Sequence, residues 1–194
     1  MKLYTLCFIL AAFSCHTASA ATPVSIETDY GTVELLLDEV RAPETVANFL
    51  NYARKGFYNQ TVFHRVIDGF MIQGGGYTAD LNEKTTGKAI NSEADNGLRN
   101  LTGTIAMARS AKPHSATSQF FINLADNGFL NHQNKTPQGY GYTVFGKVVK
   151  GMDVVRNIGK TPTASRTYLH NVPLKPVIIR KISIGTPSAV KTEP

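Results

Sequence analysis

The chain has 194 residues, a formal charge of +6 and 42% hydrophobic residues. That length suits a single domain, and 18% charged residues is too many for a polytopic membrane protein. The two cysteines, Cys7 and Cys15, both lie in the first fifteen residues, which excludes a disulfide scaffold or a zinc–thiolate site downstream.

In chain order, Met1 and Lys2 form a short positive start, Leu3–Phe13 an apolar run, and Ala18-Ser19-Ala20 a set of small residues. This pattern predicts a secretory signal peptide over residues 1–20, cleaved between Ala20 and Ala21. The apolar run is shorter than the roughly 18–20 residues that span a bilayer, which argues against a retained membrane anchor. Ser14-Cys15 would suit the end of a lipobox, but the preceding Ala12-Phe13 fits that pattern poorly. Cleavage removes Lys2 and both cysteines and leaves 174 residues with a formal charge of +5. A cysteine-free chain suits an oxidising compartment, and its length suffices for one core without staples. Residues 21–185 read as one domain, and residues 186–194, with two prolines and no apolar pattern, as a frayed tail.

Val24–Thr28 and Thr32–Leu37 flank Asp29-Tyr30-Gly31 and predict a β-hairpin. Pro43 marks a helix start. Val46, Phe49, Leu50 and Ala53 then make one apolar stripe, and Gly56 is the stop. Further strands are expected over Thr61–Val66, Phe70–Gln73, Thr104–Ala108, Gln119–Leu124, Thr143–Val148 and Val177–Ile184, with a second helix over Met152–Ile158. Eight short strands and two helices point to a sandwich or barrel. Residues 78–103 and 125–142 are long, polar connections of the kind that carry binding surfaces.

The densest chemistry lies in Phe63-His64-Arg65-Val66-Ile67 and the following Gly69-Phe70-Met71-Ile72-Gln73-Gly74-Gly75-Gly76. Strand alternation would put Phe63, Arg65 and Ile67 on one face and His64 and Val66 on the other. An arginine among apolar strand neighbours either snorkels at a rim or aims into an apolar groove, where its hydrogen bonds are strengthened. The three glycines lack the phosphate-loop context and read as bulge or turn residues. No Gly-x-Ser-x-Gly surrounds Ser118, which disfavours a hydrolase. His64, His114, His132 and His170 are scattered without an i,i+4 pair, so no metal is expected. The positive charge is dispersed, so no nucleic-acid partner is expected.

Three blocks resemble the cyclophilin-type peptidyl-prolyl cis-trans isomerases. They are Phe63–Gly75, Ser118-Gln119-Phe120-Phe121-Ile122 and Val144-Phe145-Gly146-Lys147-Val148. They stand in the family's order and spacing, and the likeness covers nearly all of residues 24–185. Asn91–Asn100 and Ala125-Asp126-Asn127, with the exported N-terminus, resemble the bacterial periplasmic cyclophilin A type within it. The resemblance implies a mainly β fold, a closed eight-stranded antiparallel β-barrel capped by two α-helices. It implies catalysis by Arg65 and a proline pocket of Phe70, Met71, Phe121 and Leu130. Gln73 and Gln119 are similar to polar groups beside the bound peptide, and Ala108, Arg109 and Ser110 to the segment that pairs with it through the backbone. His64 is similar to a histidine at the pocket edge, and Ile67 belongs to the same substrate-binding block. Phe129 stands where many eukaryotic members have tryptophan, and Tyr142 where many have histidine. Both departures imply weak or no cyclosporin binding.

The implied substrates are proline-containing segments of folding exported proteins, in the periplasm of a Gram-negative bacterium. No cofactor, no nucleic acid and, after cleavage, no membrane takes part, and the chain is expected to be a monomer. The rival reading is a non-enzymatic chaperone or binding module for Pro-containing segments. An isomerisation assay on an X–Pro peptide separates the two.

Overall fold

The computed structural model describes residues 20–166, 168–186 and 188–189. The signal segment up to Ser19 therefore lies outside the described residues. The elements in chain order are β1 Ala20–Thr28, β2 Gly31–Asp38, α1 Pro43–Arg54, β3 Thr61–Ile67, β4 Met71–Thr78, β5 Thr104–Met107 and β6 Phe120–Asn123. A 3-10 turn over Gly128–Leu130 follows, then β7 Val144–Lys150, α2 Met152–Gly159, β8 Thr163–Arg166, β9 Leu169–Pro173, β10 Ile178–Ile184 and β11 Ser188–Ala189.

Eight antiparallel strands run in the order β10-β3-β4-β6-β5-β7-β2-β1, and β1 pairs back onto β10 from Val24↔Ile184 to Thr28↔Ile179. The sheet is thus a closed barrel with two helices, as expected. The expected hairpin is β1–β2, turned by Gly31 at φ +127, a conformation that only glycine adopts without strain. Within the tail expected to fray, Ser188 and Ala189 pair with Ala21 and Ala20, while residues 187 and 190–194 lie outside the described residues.

The barrel interior is one apolar cluster. Ile26, Leu35, Phe63, Ile72, Ile105, Phe120 and Phe145 come from the strands, Val46, Phe49 and Leu50 from α1, and Val155 and Ile158 from α2. Phe49 touches Tyr58, Phe120 and Phe145 at ring-centroid distances of 5.1, 5.6 and 5.3 Å. The Tyr58 hydroxyl donates to the Ser118 carbonyl at 2.9 Å, and burial raises its pKa well above the ordinary value.

Helix α1 begins at Pro43, and Ala42 before it offers no capping side chain. Glu93, far along the polar 78–103 segment, supplies the cap. Its carboxylate accepts the Glu44 N–H at 3.0 Å, the Thr45 N–H at 2.9 Å and the Thr45 hydroxyl at 2.7 Å. An anion is favoured there because the first-turn N–H groups have no partner within the helix.

The strand alternation read from residues 61–67 needs correction. Phe63 pairs with Gly74 and Arg65 with Gln73, so two steps on β3 match one on β4. This is a β-bulge at His64. It turns Phe63 inward beside Val66 and leaves Arg65 and Ile67 facing outward. The strand expected to stop at Gln73 continues to Thr78 through all three glycines. Gly75 has φ +84, and a Cβ there would lie 2.8 Å from Phe120 and 2.9 Å from Tyr58. The hairpin β8–β9 lies outside the barrel and is absent from the expected elements.

Candidate active site

Central strands of this barrel are apolar on both faces. Ile72, Ile105, Phe120, Ile122 and Phe145 point inward. Their neighbours Met71, Ala106, Phe121 and Val144 point outward, where Ile67, Phe70, Leu98, Ala108, Leu130 and Tyr142 pack on them. Alternation at period two makes both clusters from the same strands. The outer one is the floor of a surface cavity of about 400 Å³.

Arg65 stands at the edge of this floor, half-buried. Its Nη1 donates to Gln73 Oε1 at 3.3 Å, and Gln73 Nε2 donates to Gln119 Oε1 at 3.0 Å. The guanidinium lies 6.0 Å from the Phe70 ring centroid. Among the described residues no carboxylate pairs with it. The result is a fixed cation over an apolar surface, with most of its donors unspent.

His64, on the bulge, is only 4% exposed and lies against Tyr77, with ring centroids 4.5 Å apart. Burial is the main reason that its pKa falls to about 4, because desolvation penalises the imidazolium. It is therefore a neutral ring at ordinary pH. Among the described residues its Nδ1 is buried without a partner.

The opposite wall is Ala108 and Arg109. Ala108 N–H donates to the Gln119 carbonyl at 2.9 Å. Arg109 turns its side chain away from chemistry. Nε donates to the Gly141 carbonyl at 2.7 Å, Nη2 to the Pro137 carbonyl at 2.9 Å, and the guanidinium stacks 4.7 Å from the Tyr142 centroid. It thereby secures the 132–142 loop against the cavity. Tyr142 in turn meets Phe121 edge to face at 5.7 Å.

The cavity brings together His64, Arg65, Phe70, Met71, Gln73, Ala108, Arg109, Gln119, Phe121, Leu130 and Tyr142. Three further expected site residues do not line it. Ile67 packs against the floor cluster, and Ser110 is exposed with its N–H given to Ser115 Oγ at 3.0 Å. Phe129 is 67% exposed and stacks on Phe70 with 5.7 Å between ring centroids, outside the lining.

The sequence reading missed two groups. Tyr77, Tyr168, Leu169 and His170 also line the cavity. Behind it, three amides hold the pocket from beneath. Asn127 Nδ2 donates to the Phe70 carbonyl at 2.9 Å and to Asn123 Oδ1 at 2.7 Å, Asn123 Nδ2 donates to Asn100 Oδ1 at 3.2 Å, and Asn100 Nδ2 donates to the Leu130 carbonyl at 3.2 Å. Asn100 and Asn127 lie in long polar segments, and Asn123 ends the otherwise apolar strand β6, so no periodic signal sets the three apart from surface asparagines.

Among the described residues, no group of three or more His, Cys, Asp or Glu side chains is placed to hold a metal ion, and no helix is long and apolar enough to cross a membrane. A family model described as cyclophilin type peptidyl-prolyl cis-trans isomerase/CLD matches residues 23–184. A relative from Dickeya dadantii, peptidyl-prolyl cis-trans isomerase A, is 51% identical over 90% of this chain and 91% of its own. Peptidyl-prolyl cis-trans isomerase B from Escherichia coli is 50% identical over 84% of this chain and 99% of its own. The solved structure of a Cryptosporidium parvum cyclophilin in the presence of the dipeptide Ala-Pro superposes with a TM-score of 0.70 at 29% identity, over 84% of this chain and 99% of that one. Both the barrel with its outward apolar floor and these matches lead to one conclusion: the chain belongs to the cyclophilin-type peptidyl-prolyl cis-trans isomerases and is an isomerase enzyme.

Proposed function

We propose that Arg65 is the catalytic donor of this isomerase, and that its substrates are X–Pro bonds in exported proteins. The observation that carries the reading is a guanidinium without a carboxylate partner, held at the edge of an apolar floor by Gln73.

An X–Pro bond has cis and trans forms of similar energy. They are separated by amide resonance, about 18–20 kcal/mol for peptide bonds in general. At the twisted transition state conjugation is lost, and the prolyl nitrogen becomes pyramidal and more basic. A donor aimed at that nitrogen is worth more there than in the planar ground state, which is the condition for catalysis. Arg65 supplies it and anchors the prolyl carbonyl. Phe70, Met71, Phe121 and Leu130 hold the ring, with Ile67 behind them and Phe129 at the lip. Gln73, Gln119 and the backbone of Ala108 and Arg109 fix one flank while the other rotates, and Ser110 sits outside the lining behind them. His64 and Tyr142 shape the edges.

An acceleration of about 10⁵ requires about 7 kcal/mol. One preorganised donor is worth about 3–4 kcal/mol. Positioning in a water-poor groove supplies the remainder. No step needs a nucleophile or a metal, because no covalent bond is made or broken.

The signal pattern of residues 1–20 supports cleavage after Ala20 and export of the domain of residues 21–185, which on this reading acts as a monomer in the bacterial periplasm. Phe129 and Tyr142 support weak cyclosporin binding. The decisive experiment is a protease-coupled isomerisation assay on an X–Pro tetrapeptide with Arg65→Ala alongside. A folded Arg65→Ala protein is expected to lose about 10²–10³ in kcat/KM. Full activity in that variant removes Arg65 from the mechanism.

A further inference from the structure

Tyr168, Leu169 and His170 line the same cavity as Arg65, yet they belong to no barrel strand. They come from the β8–β9 hairpin, which forms its own two-stranded sheet. The hairpin is well moored. Val172 is buried, the Leu174 N–H donates to the Pro162 carbonyl at 2.9 Å, and Ser165 Oγ lies 3.0 Å from His170 Nδ1 across the two strands. Asn171 adopts φ +57 between His170 and the buried Val172, a left-handed twist that asparagine tolerates better than most residues. At the tip, Tyr168 is 65% exposed. A large aromatic held out on an anchored hairpin, at the mouth of a substrate groove, is placed to meet substrate.

We propose that Tyr168, Leu169 and His170 form a subsite for a side chain flanking the substrate proline, on the side of Arg65 away from Ala108, and that it selects aromatic and aliphatic residues over cationic ones. The proposal rests on the reading of this groove as the place where the X–Pro bond binds.

The chemistry of the wall sets the preference. Leu169 and the ring of Tyr168 offer apolar contact. Tyr77 lies beside them over His64, which burial keeps neutral down to about pH 4. The charged side chains that line the cavity are Arg65 and Arg109, both cations, and no lining residue is acidic. A lysine or arginine on that flank of the substrate therefore meets the Arg65 cation with no acidic side chain in the lining, Glu83 standing behind Tyr77, whereas a phenylalanine or leucine covers apolar surface.

The test is protease-free exchange NMR on tetrapeptides of the form Ala-Xaa-Pro-Yaa, with Phe, Leu or Lys placed before or after proline in turn. The wild-type protein is expected to prefer Phe over Lys by about tenfold in kcat/KM at one of the two positions, a discrimination within reach of one apolar subsite. Tyr168→Ala is expected to collapse that ratio to about twofold or less, and Tyr168→Phe to keep it. No Phe-over-Lys preference at either position, or a ratio that survives in Tyr168→Ala, overturns the proposal. Full activity in Arg65→Ala overturns the catalytic reading instead, and leaves the Tyr168 ratios to be judged by themselves.

Discussion

Gly76 and Gln119 are complementary: a Cβ at position 76 would fall 2.5 Å from Gln119 Cγ and 2.8 Å from its Cδ and Nε2. Glycine is needed there for space alone. Gly76→Ala is expected to push Gln119 aside and break its 3.0 Å bond from Gln73, which positions the amide that faces Arg65. A lost hydrogen bond is worth about 1 kcal/mol, so kcat/KM is expected to fall about fivefold. Steady-state kinetics beside a thermal melt check this, since an equal loss in Tm would point to a folding defect instead.

His64 makes stability depend on acidity. Its folded-state pKa is about 4, below the ordinary value of 6.5, because burial disfavours the charged ring. As pH falls below 6.5 the unfolded chain takes up a proton that the folded chain refuses until about pH 4. Stability is therefore lost as pH falls through that window, by up to about 3 kcal/mol, and levels off below it. Urea midpoints measured from pH 7 to pH 3.5 are expected to show this slope, and His64→Gln to reduce it.

Phe121 joins the floor of the groove to the fold. It is buried, pairs with Ala106 and Gln73 in the sheet, and meets Tyr142 edge to face. Phe121→Ala is expected to cost about 3–5 kcal/mol in urea unfolding. It should also raise KM more than it lowers kcat, because the ring serves binding rather than charge stabilisation.

Asn127 is a positioning residue. Asn127→Ala leaves the Phe70 carbonyl and Asn123 Oδ1 without the donor they share. The Phe70 carbonyl keeps the Leu124 N–H at 2.9 Å, so Asn123 Oδ1 is the buried group left orphaned, at a cost of about 1–3 kcal/mol. Alongside that loss, the kcat of the folded fraction is expected to hold while KM rises, since Phe70 loses one of the two donors to its carbonyl. An unchanged KM would confine Asn127 to a purely structural part.

Much of this was legible in residues. The helix that starts at Pro43 and stops before Gly56 and all eight barrel strands were legible from apolar patterning and turn signals, because each buries one face and shows the other to something different. The block Phe63–Gly75 carries the site, and the cavity gathers most of the residues expected from it. The bulge at His64 was not legible. Pairing register depends on which strand lies alongside, and alternation within β3 cannot reveal an extra residue. Nor was the β8–β9 hairpin: Thr163-Ala164-Ser165-Arg166 is polar and mostly exposed, so it has no buried face to print a pattern. Phe129 was expected in the lining because of its place in a family block, but its ring stacks on the outer side of Phe70.

The pairing of β1 with β10 has a consequence for how the molecule comes into being. The first barrel strand is sealed only by the last, from Val24↔Ile184 to Thr28↔Ile179. A chain delivered from its N-terminus, whether by a ribosome or through a pore, holds β1 with one edge open until residue 184 has emerged. So distant a closure comes late, since loop entropy must be met before the pairing rewards it. Until then this isomerase is itself an incomplete sheet with an exposed seam.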